Sequence, residues 1–177
     1  MVHVTGDTFE LIKELLPKSM DLVIADPPYD LNEFDKSFLQ EQFLRVCRGR
    51  VIVFSPPENQ WILPADQYLF WIKPISTKNT SKSYSRYVEM IFVYGSGTWN
   101  SNRHWSQYTN VFTDLVDVSI HPHRKPPSLI ERLILNHTNV GDVILDPFAG
   151  SRVVDTVAQR LGRKCISFEK EMWIGYE

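Results

Sequence analysis

Short apolar runs alternate along this chain with segments whose apolar residues recur at helical spacing, and that alternation constrains the fold more than any other feature. Strands and helices in turn build a layered α/β domain around a largely parallel sheet. Strands are expected at 2–5 (VHVT), 22–26 (LVIAD), 50–54 (RVIVF), 68–73 (YLFWIK), 88–94 (VEMIFVY), 143–148 (VILDPF) and 164–169 (KCISFE), with a weaker one at 111–114. Between them, Phe9, Ile12 and Leu16 share a helical face. So do Leu39, Phe43 and Val46 or Cys47, then Ile130, Leu133 and Ile134, then Val154, Val157 and Leu161. Pro126 and Pro127 are expected to open the third of these helices themselves, with Ser128 a poor cap behind them. At 177 residues the length suits one domain over 1–177 with a substantial core.

Charge narrows the function classes. A net charge of −2 argues against a general polyanion binder. Its distribution says something different: from Lys73 to Thr113 stand Lys73, Lys78, Lys82, Arg86 and Arg103 against the single acid Glu89. Tyr84, Tyr87, Trp99, Trp105 and Tyr108 are interleaved with them. Cations for phosphates and ring faces for unstacked bases are what a nucleic-acid surface needs, although a solvated loop with core aromatics fits equally on composition. The polar, aromatic stretch 95–110 (GSGTWNSNRHWSQYTN) is long for an idle loop and reads as functional. No apolar run approaches the roughly 18 residues of a membrane span, so no membrane partner is expected. Cys47 and Cys165 sit among apolar neighbours, as buried reduced thiols do, which points to a cytoplasmic setting.

Two strands end in an unusual way, one as LVIADPPY and the other as VILDPFAGS. Ligands of open parallel sheets gather beyond the carboxyl ends of the strands, so Asp26 and Asp146 should stand on one rim. A glycine-containing turn follows Asp146, with a helix expected from about Ser151. The next strand, KCISFE, ends in Glu169, placed as an acid that holds ribose hydroxyls in nucleoside-binding sheets. In order, these features describe a nucleoside pocket.

These motifs resemble those of the amino-methylating DNA methyltransferases, in the permuted group whose catalytic motif precedes the cofactor motif. The resemblance covers nearly the whole chain: TGDTFELIKELLPKSMDLVIADPPYD, FWIKP, RYVEMIFVYG, HPHRKPPSLIERLI, GDVILDPFAGS and KCISFEKE match in order. It implies a Rossmann-like methyltransferase fold, a mostly parallel sheet with one antiparallel strand and helices on both faces. It also implies S-adenosyl-L-methionine as cofactor and adenine N6 or cytosine N4 of DNA as acceptor. Asp26 and the Pro27 carbonyl would accept the two N–H bonds of the target amine, Pro27 and Pro28 fixing that backbone while Tyr29 stacks on a base rotated out of the duplex. Asp146, Phe148, Gly150 and Ser151 would surround the methionine end, Glu169 the ribose, and Asp7 the adenine amino group. Lys125 would reach the methionine carboxylate or lie on the surface beside its helix. DNA would be held by Lys78, Lys82, Arg86 and Arg103. His121 and His123 lack further ligands at metal spacing, so no metal is expected.

The pattern breaks after DPFAGS. Relatives carry a glycine and a threonine where this chain has Arg152 and Val153. An arginine there must turn outward or fill part of the pocket, which bears on cofactor affinity. Only about 27 residues separate RYVEMIFVYG from HPHRKP, so a short loop region over 95–120 stands in for a larger target-recognition region. A homodimer or a specificity partner then remains open. Adenine N6 is preferred over cytosine N4 because Asp26 stands where cytosine enzymes more often have serine. The alternatives are a catalytically inactive homologue that binds nucleic acid or protein, and an RNA or protein amide methyltransferase.

Overall fold

The computed structural model describes residues 2–61, 63–73, 84–115 and 124–170. Among them, eight strands form one sheet: β1 (Val2–Thr5), β2 (Met20–Ala25), β3 (Cys47–Ser55), β4 (Gln67–Ile72), β5 (Val88–Tyr94), β6 (Val111–Phe112), β7 (Val143–Asp146) and β8 (Lys164–Glu169). Their order is β1-β8-β7-β2-β3-β5-β4-β6, and β5 alone runs antiparallel to its neighbours. The helices are α1 (Thr8–Leu11), α2 (Glu33–Val46), α3 (Pro127–His137) and α4 (Val153–Arg160). This is the expected α/β architecture, antiparallel strand included.

The strands alternate strictly, and each parity feeds its own core. Leu22, Ile24, Ile52, Phe54, Trp71, Ile91, Val93 and Ile144 pack under Leu129, Ile130, Leu133 and Ile134 of α3 and Val154 and Val157 of α4. The opposite parity, Val23, Ala25, Val51, Val53, Phe92 and Leu145, packs under Ile12 and under Leu39, Phe43 and Val46 of α2. Each such aliphatic side chain contributes roughly 1.5–3 kcal/mol when fully buried, so neither layer is dispensable. Cys47 and Cys165 are buried free thiols.

Local signals set the helix ends. Asn32 caps α2 by accepting from the Asp35 amide at 2.9 Å, and Pro126 and Pro127 open α3 as expected. Leu16 departs from its expected helical face. The helical turn after Thr8 ends at Glu14, Leu15 is extended, and Leu16 is exposed. Pro17 is the cause, because the residue before a proline is pushed out of the helical region.

Candidate active site

Register fixes where the two acidic strand tips stand. β2 and β7 are parallel neighbours with Leu22 opposite Ile144 and Val23 opposite Leu145. Asp146 ends β7 level with Ile24, and Asp26 follows β2 immediately, so both lie on the carboxyl rim. Asp26 shares parity with Leu22 and Ile24, Asp146 with Ile144, and all three apolar residues face α3 and α4. The two carboxyls therefore occupy one rim and one face.

The segment after β2 is held from several sides. Pro27 is buried, Pro28 is exposed, and Tyr29 keeps 46% of its surface in solvent. The Asn59 side-chain amide donates to the Tyr29 carbonyl at 2.9 Å, and the Lys36 ammonium bonds Asn59 in turn. The Tyr29 phenol is pushed far above its ordinary range by desolvation first, then by the charges of Asp26 and Glu89. It stays protonated at any working pH.

Lys125 is placed on the acceptor side of the rim. Its ammonium donates to Asp26 Oδ2 at 2.5 Å and pairs with Glu89 Oε1 at 2.9 Å, while Glu89 Oε2 pairs with Lys73 at 2.6 Å. Lys125, expected to reach a methionine carboxylate or to lie on the surface beside its helix, is buried and paired with Asp26 and Glu89. Lys125 also lies over the rings of Phe54 and Trp71, at 5.1 and 6.0 Å from their centroids. Desolvation would lower its pKa, but the two carboxylates outweigh that and raise it. Burial would likewise raise Glu89, yet the Lys125 and Lys73 charges hold it below the carboxylate range. Asp26 ends above its ordinary value, because burial and the Glu89 charge outweigh the pull of Lys125. Its side chain as a whole is 31% accessible, but Oδ1 is itself buried and accepts no hydrogen bond from the described residues. An acceptor oxygen in that condition is costly unless a donor arrives.

Glu89 and Lys73 were absent from the residues expected at this site. One signal could have found them: Glu89 stands at the same parity as Ile91 and Val93, and Lys73 at that of Trp71. A charge on the core-facing parity at a strand end is out of place unless it has a partner.

Next along the rim, β7 runs into a turn folded around its own backbone. Asp146 accepts from the Phe148 amide at 3.2 Å, Ala149 donates to the Phe168 carbonyl at 2.9 Å, and Gly150 donates to Glu169 Oε2 at 2.6 Å. Gly150 has φ +44°, which a glycine adopts without penalty. Phe168 is buried in the sheet core, and Ser151 is half-buried. Asp7 caps α1 through the Phe9 amide and pairs with Lys170 at 3.3 Å. The Thr8 hydroxyl bonds the Pro147 carbonyl, joining the first helix to this turn. Asp146 is raised well above its ordinary value by burial first, then by the charges of Asp155, Asp26 and Glu169. Asp146 has no ion-pair partner among the described residues, and a buried acid in that condition fits a positively charged ligand.

Arg152 keeps a glycine-like backbone, with φ 57° and ψ 28°. Its side chain turns back onto Asp155, with Nε and one terminal nitrogen at 3.2 and 3.1 Å from Oδ2. Ser167 donates to the same oxygen at 2.8 Å.

The expected DNA contacts divide. Lys78 and Lys82 lie outside the described residues, as do His121 and His123. Arg86 stands just before β5, whose first residues meet the Asp26 rim, and pairs with Glu58 at 2.7 Å. Arg103 does not stand with Arg86. Because β5 is antiparallel, the chain leaves it at the opposite rim, and the loop packs on the far end of α3. There the Asn100 amide bonds Asn136 and its side chain bonds Leu135 and Thr138. Arg103 is spent on Asn136 and Gln107 at 2.9 and 3.1 Å. Strand direction, which composition does not encode, separates Arg103 from the acceptor site. A cavity of about 550 Å³ beside Tyr68, Trp99, Tyr108 and His137 lies in that same region, away from Asp26.

A family model described as DNA methylase, of the N6/N4 methyltransferase type, matches residues 66–174. The chain belongs to the DNA methylase family. It is 27% identical to the type II methyltransferase M2.DpnII of Streptococcus pneumoniae, across 97% of this chain and 85% of that protein. It is 28% identical to M2.LlaDCHI of Lactococcus lactis subsp. cremoris, across 97% and 84%. Both alignments run over 231 residues, so those relatives carry residues inside the matched span that this methylase lacks. Among solved structures, M1.HpyAVI superposes with a TM-score of 0.74 at 22% identity, covering 96% of this chain and 92% of that one. The cytosine-N4-specific PvuII DNA methyltransferase superposes at 0.75 and 18% identity, covering 96% and 81%. The fold is that of these enzymes. This methylase is an S-adenosyl-L-methionine-dependent DNA amino-methyltransferase. Among the described residues, no helix is long and apolar enough to cross a membrane.

Proposed function

We propose that this methylase modifies adenine at N6, with Asp26 and the Pro27 carbonyl as the two acceptors on the target amine. One observation carries the acceptor assignment: Oδ1 of Asp26 is buried, has no hydrogen-bond partner among the described residues, and is fixed by the Lys125 bond to the other oxygen. An aromatic amine is a poor nucleophile because its lone pair is delocalised into the ring. Two acceptors on its N–H bonds draw it toward tetrahedral geometry, and a prearranged pair does so without reorganisation. When bound, S-adenosyl-L-methionine supplies an electrophilic methyl on a cationic sulfur. Asp26 then takes the proton that the nitrogen sheds, a task helped by the raised basicity of its buried carboxylate. Tyr29, neutral and half exposed beside Asp26, offers a ring face to the extruded base.

The acids around Asp146 suit the cofactor's cationic end, and Glu169 its ribose hydroxyls. Arg152 faces Asp155, which argues against the reading of a pocket plugged by arginine. The preference for adenine rests on the carboxylate at position 26. Tritiated methyl transfer onto unmethylated duplex DNA, followed by nucleoside analysis, decides it: label in N6-methyladenine is expected, and label in N4-methylcytosine rejects the base assignment. Asp26→Ala is expected to abolish transfer while leaving cofactor affinity within about twofold by calorimetry.

A further inference from the structure

The buried charges behind Asp26 do more than fill space. Four groups from four separate segments meet there: Asp26 after β2, Lys73 at the end of β4, Glu89 on β5 and Lys125 ahead of α3. Glu89 is only 1% accessible and Lys125 6%, so neither is a solvated surface charge. Two carboxylates and two ammonium groups cancel, and the quartet as a whole is neutral. Within it the order is linear: Lys73 on Glu89, Glu89 on Lys125, Lys125 on Asp26. Glu89 also faces Tyr29, since its charge contributes to the raised phenol.

We infer that Glu89 is a positioning residue for methyl transfer. It anchors the Lys125 ammonium against Asp26 Oδ2, so that Oδ1 is the carboxylate oxygen left to the target amine, beside the Pro27 carbonyl. Lys73 neutralises Glu89 and completes the anchor. Without Glu89, Lys125 keeps one partner instead of two, and Asp26 loses the charge that sustains its basicity. A buried ion pair stripped of one member costs several kcal/mol or reorganises, which makes the geometry of the whole row depend on this residue. The inference rests on the reading of Asp26 as the acceptor-side carboxylate.

Among the described residues, the charged and titratable groups facing Asp26 are Lys125, Glu89, Lys73, Tyr29 on its own loop, and Asp146 from β7. Glu89 pushes Asp26 up and Lys73 pulls it down. Removing either charge should therefore displace the acid limb of the kcat profile in opposite directions. The test is kcat against pH at saturating DNA and cofactor, for Glu89→Gln, Lys73→Met and the double variant, with cofactor affinity by calorimetry. Glu89→Gln is expected to lower kcat about tenfold or more and to move the acid limb about half a pH unit or more downward. Lys73→Met should move the limb upward, and the double variant should return it toward the parent, with cofactor affinity unchanged throughout. A merely structural glutamate would lower the folded fraction without moving the limb. An unmoved limb, or displacement of both single variants in one direction, overturns the inference. If Glu89→Gln does not fold, the Lys73→Met profile decides alone. Asp26→Ala in the same assay keeps the two readings apart. An active Asp26→Ala rejects the acceptor assignment itself, whereas an inactive one beside a Glu89→Gln with parental kcat and limb rejects only the role of Glu89.

Discussion

Asp146 carries its function at the expense of stability. Its carboxyl is raised well above 3.8 by burial, with Asp155, Asp26 and Glu169 adding to the rise. A carboxyl with a higher pKa in the folded state than in the unfolded one binds protons more readily when native. The free protein therefore loses stability as pH climbs from near 4 through the raised value. Asp146→Asn removes that penalty and can still accept from the Phe148 amide. It should melt a few degrees higher at neutral pH and lose cofactor affinity by at least about tenfold, read by calorimetry. A lower melting temperature would mean that Asp146 is structural. Arg152 is the opposite case. Its left-handed backbone favours glycine, but Arg152→Gly would leave the nearly buried Asp155 without its guanidinium, so the two effects oppose. Stranding the buried charge outweighs relief of the backbone, and a net loss of about 1–3 kcal/mol is expected by denaturant titration.

At the scale of elements, α3 links the two rims. Lys125 precedes its start at the acceptor site, and His137 ends it at the far rim. His137 is 4% accessible, and burial first, then the Arg50 charge, lowers its pKa to about 4. In the unfolded chain it titrates near 6.5, so below that pH unfolding takes up a proton that the native state refuses. Stability present above 6.5 is lost progressively as pH falls toward 4, by about 3 kcal/mol in all. His137→Gln should flatten that slope in urea titrations between these limits, and an equally steep variant would assign the loss to other groups. The helices and strands were legible because their apolar periods are clean: every expected strand exists, and both prolines at 126 and 127 open α3. Leu16 was not, because a proline one residue later outweighs a face-matching leucine. Nor was the seam between α2 and β3, where Cys47 follows Val46 with no loop between them.

At the scale of the whole molecule, parity and direction divide what the sequence could reveal from what it could not. The rim with Asp26 and Asp146 was legible, because two strands ending in acid before proline leave few other arrangements in a parallel sheet. The Lys73–Glu89–Lys125 row was hidden, since its members lie far apart in the chain and meet only through strand order. Direction also decides where the aromatic loop lies. An antiparallel β5 delivers 95–110 to the rim opposite Asp26, so basic residues adjacent in sequence face opposite ends of the molecule. DNA that presents its base to Asp26 should then feel Arg86 and not Arg103. Neutralising one phosphate contact lowers the slope of log Kd against log salt by about one. Arg86→Gln is expected to do that, weakening duplex binding several-fold in anisotropy titrations across about 50–200 mM salt. Arg103→Gln should leave the slope unchanged and lower the melting temperature, because Asn136 and Gln107 lose their guanidinium partner. A reduced slope in Arg103→Gln with a parental one in Arg86→Gln would place the duplex on the far rim, out of reach of the Asp26 acceptor.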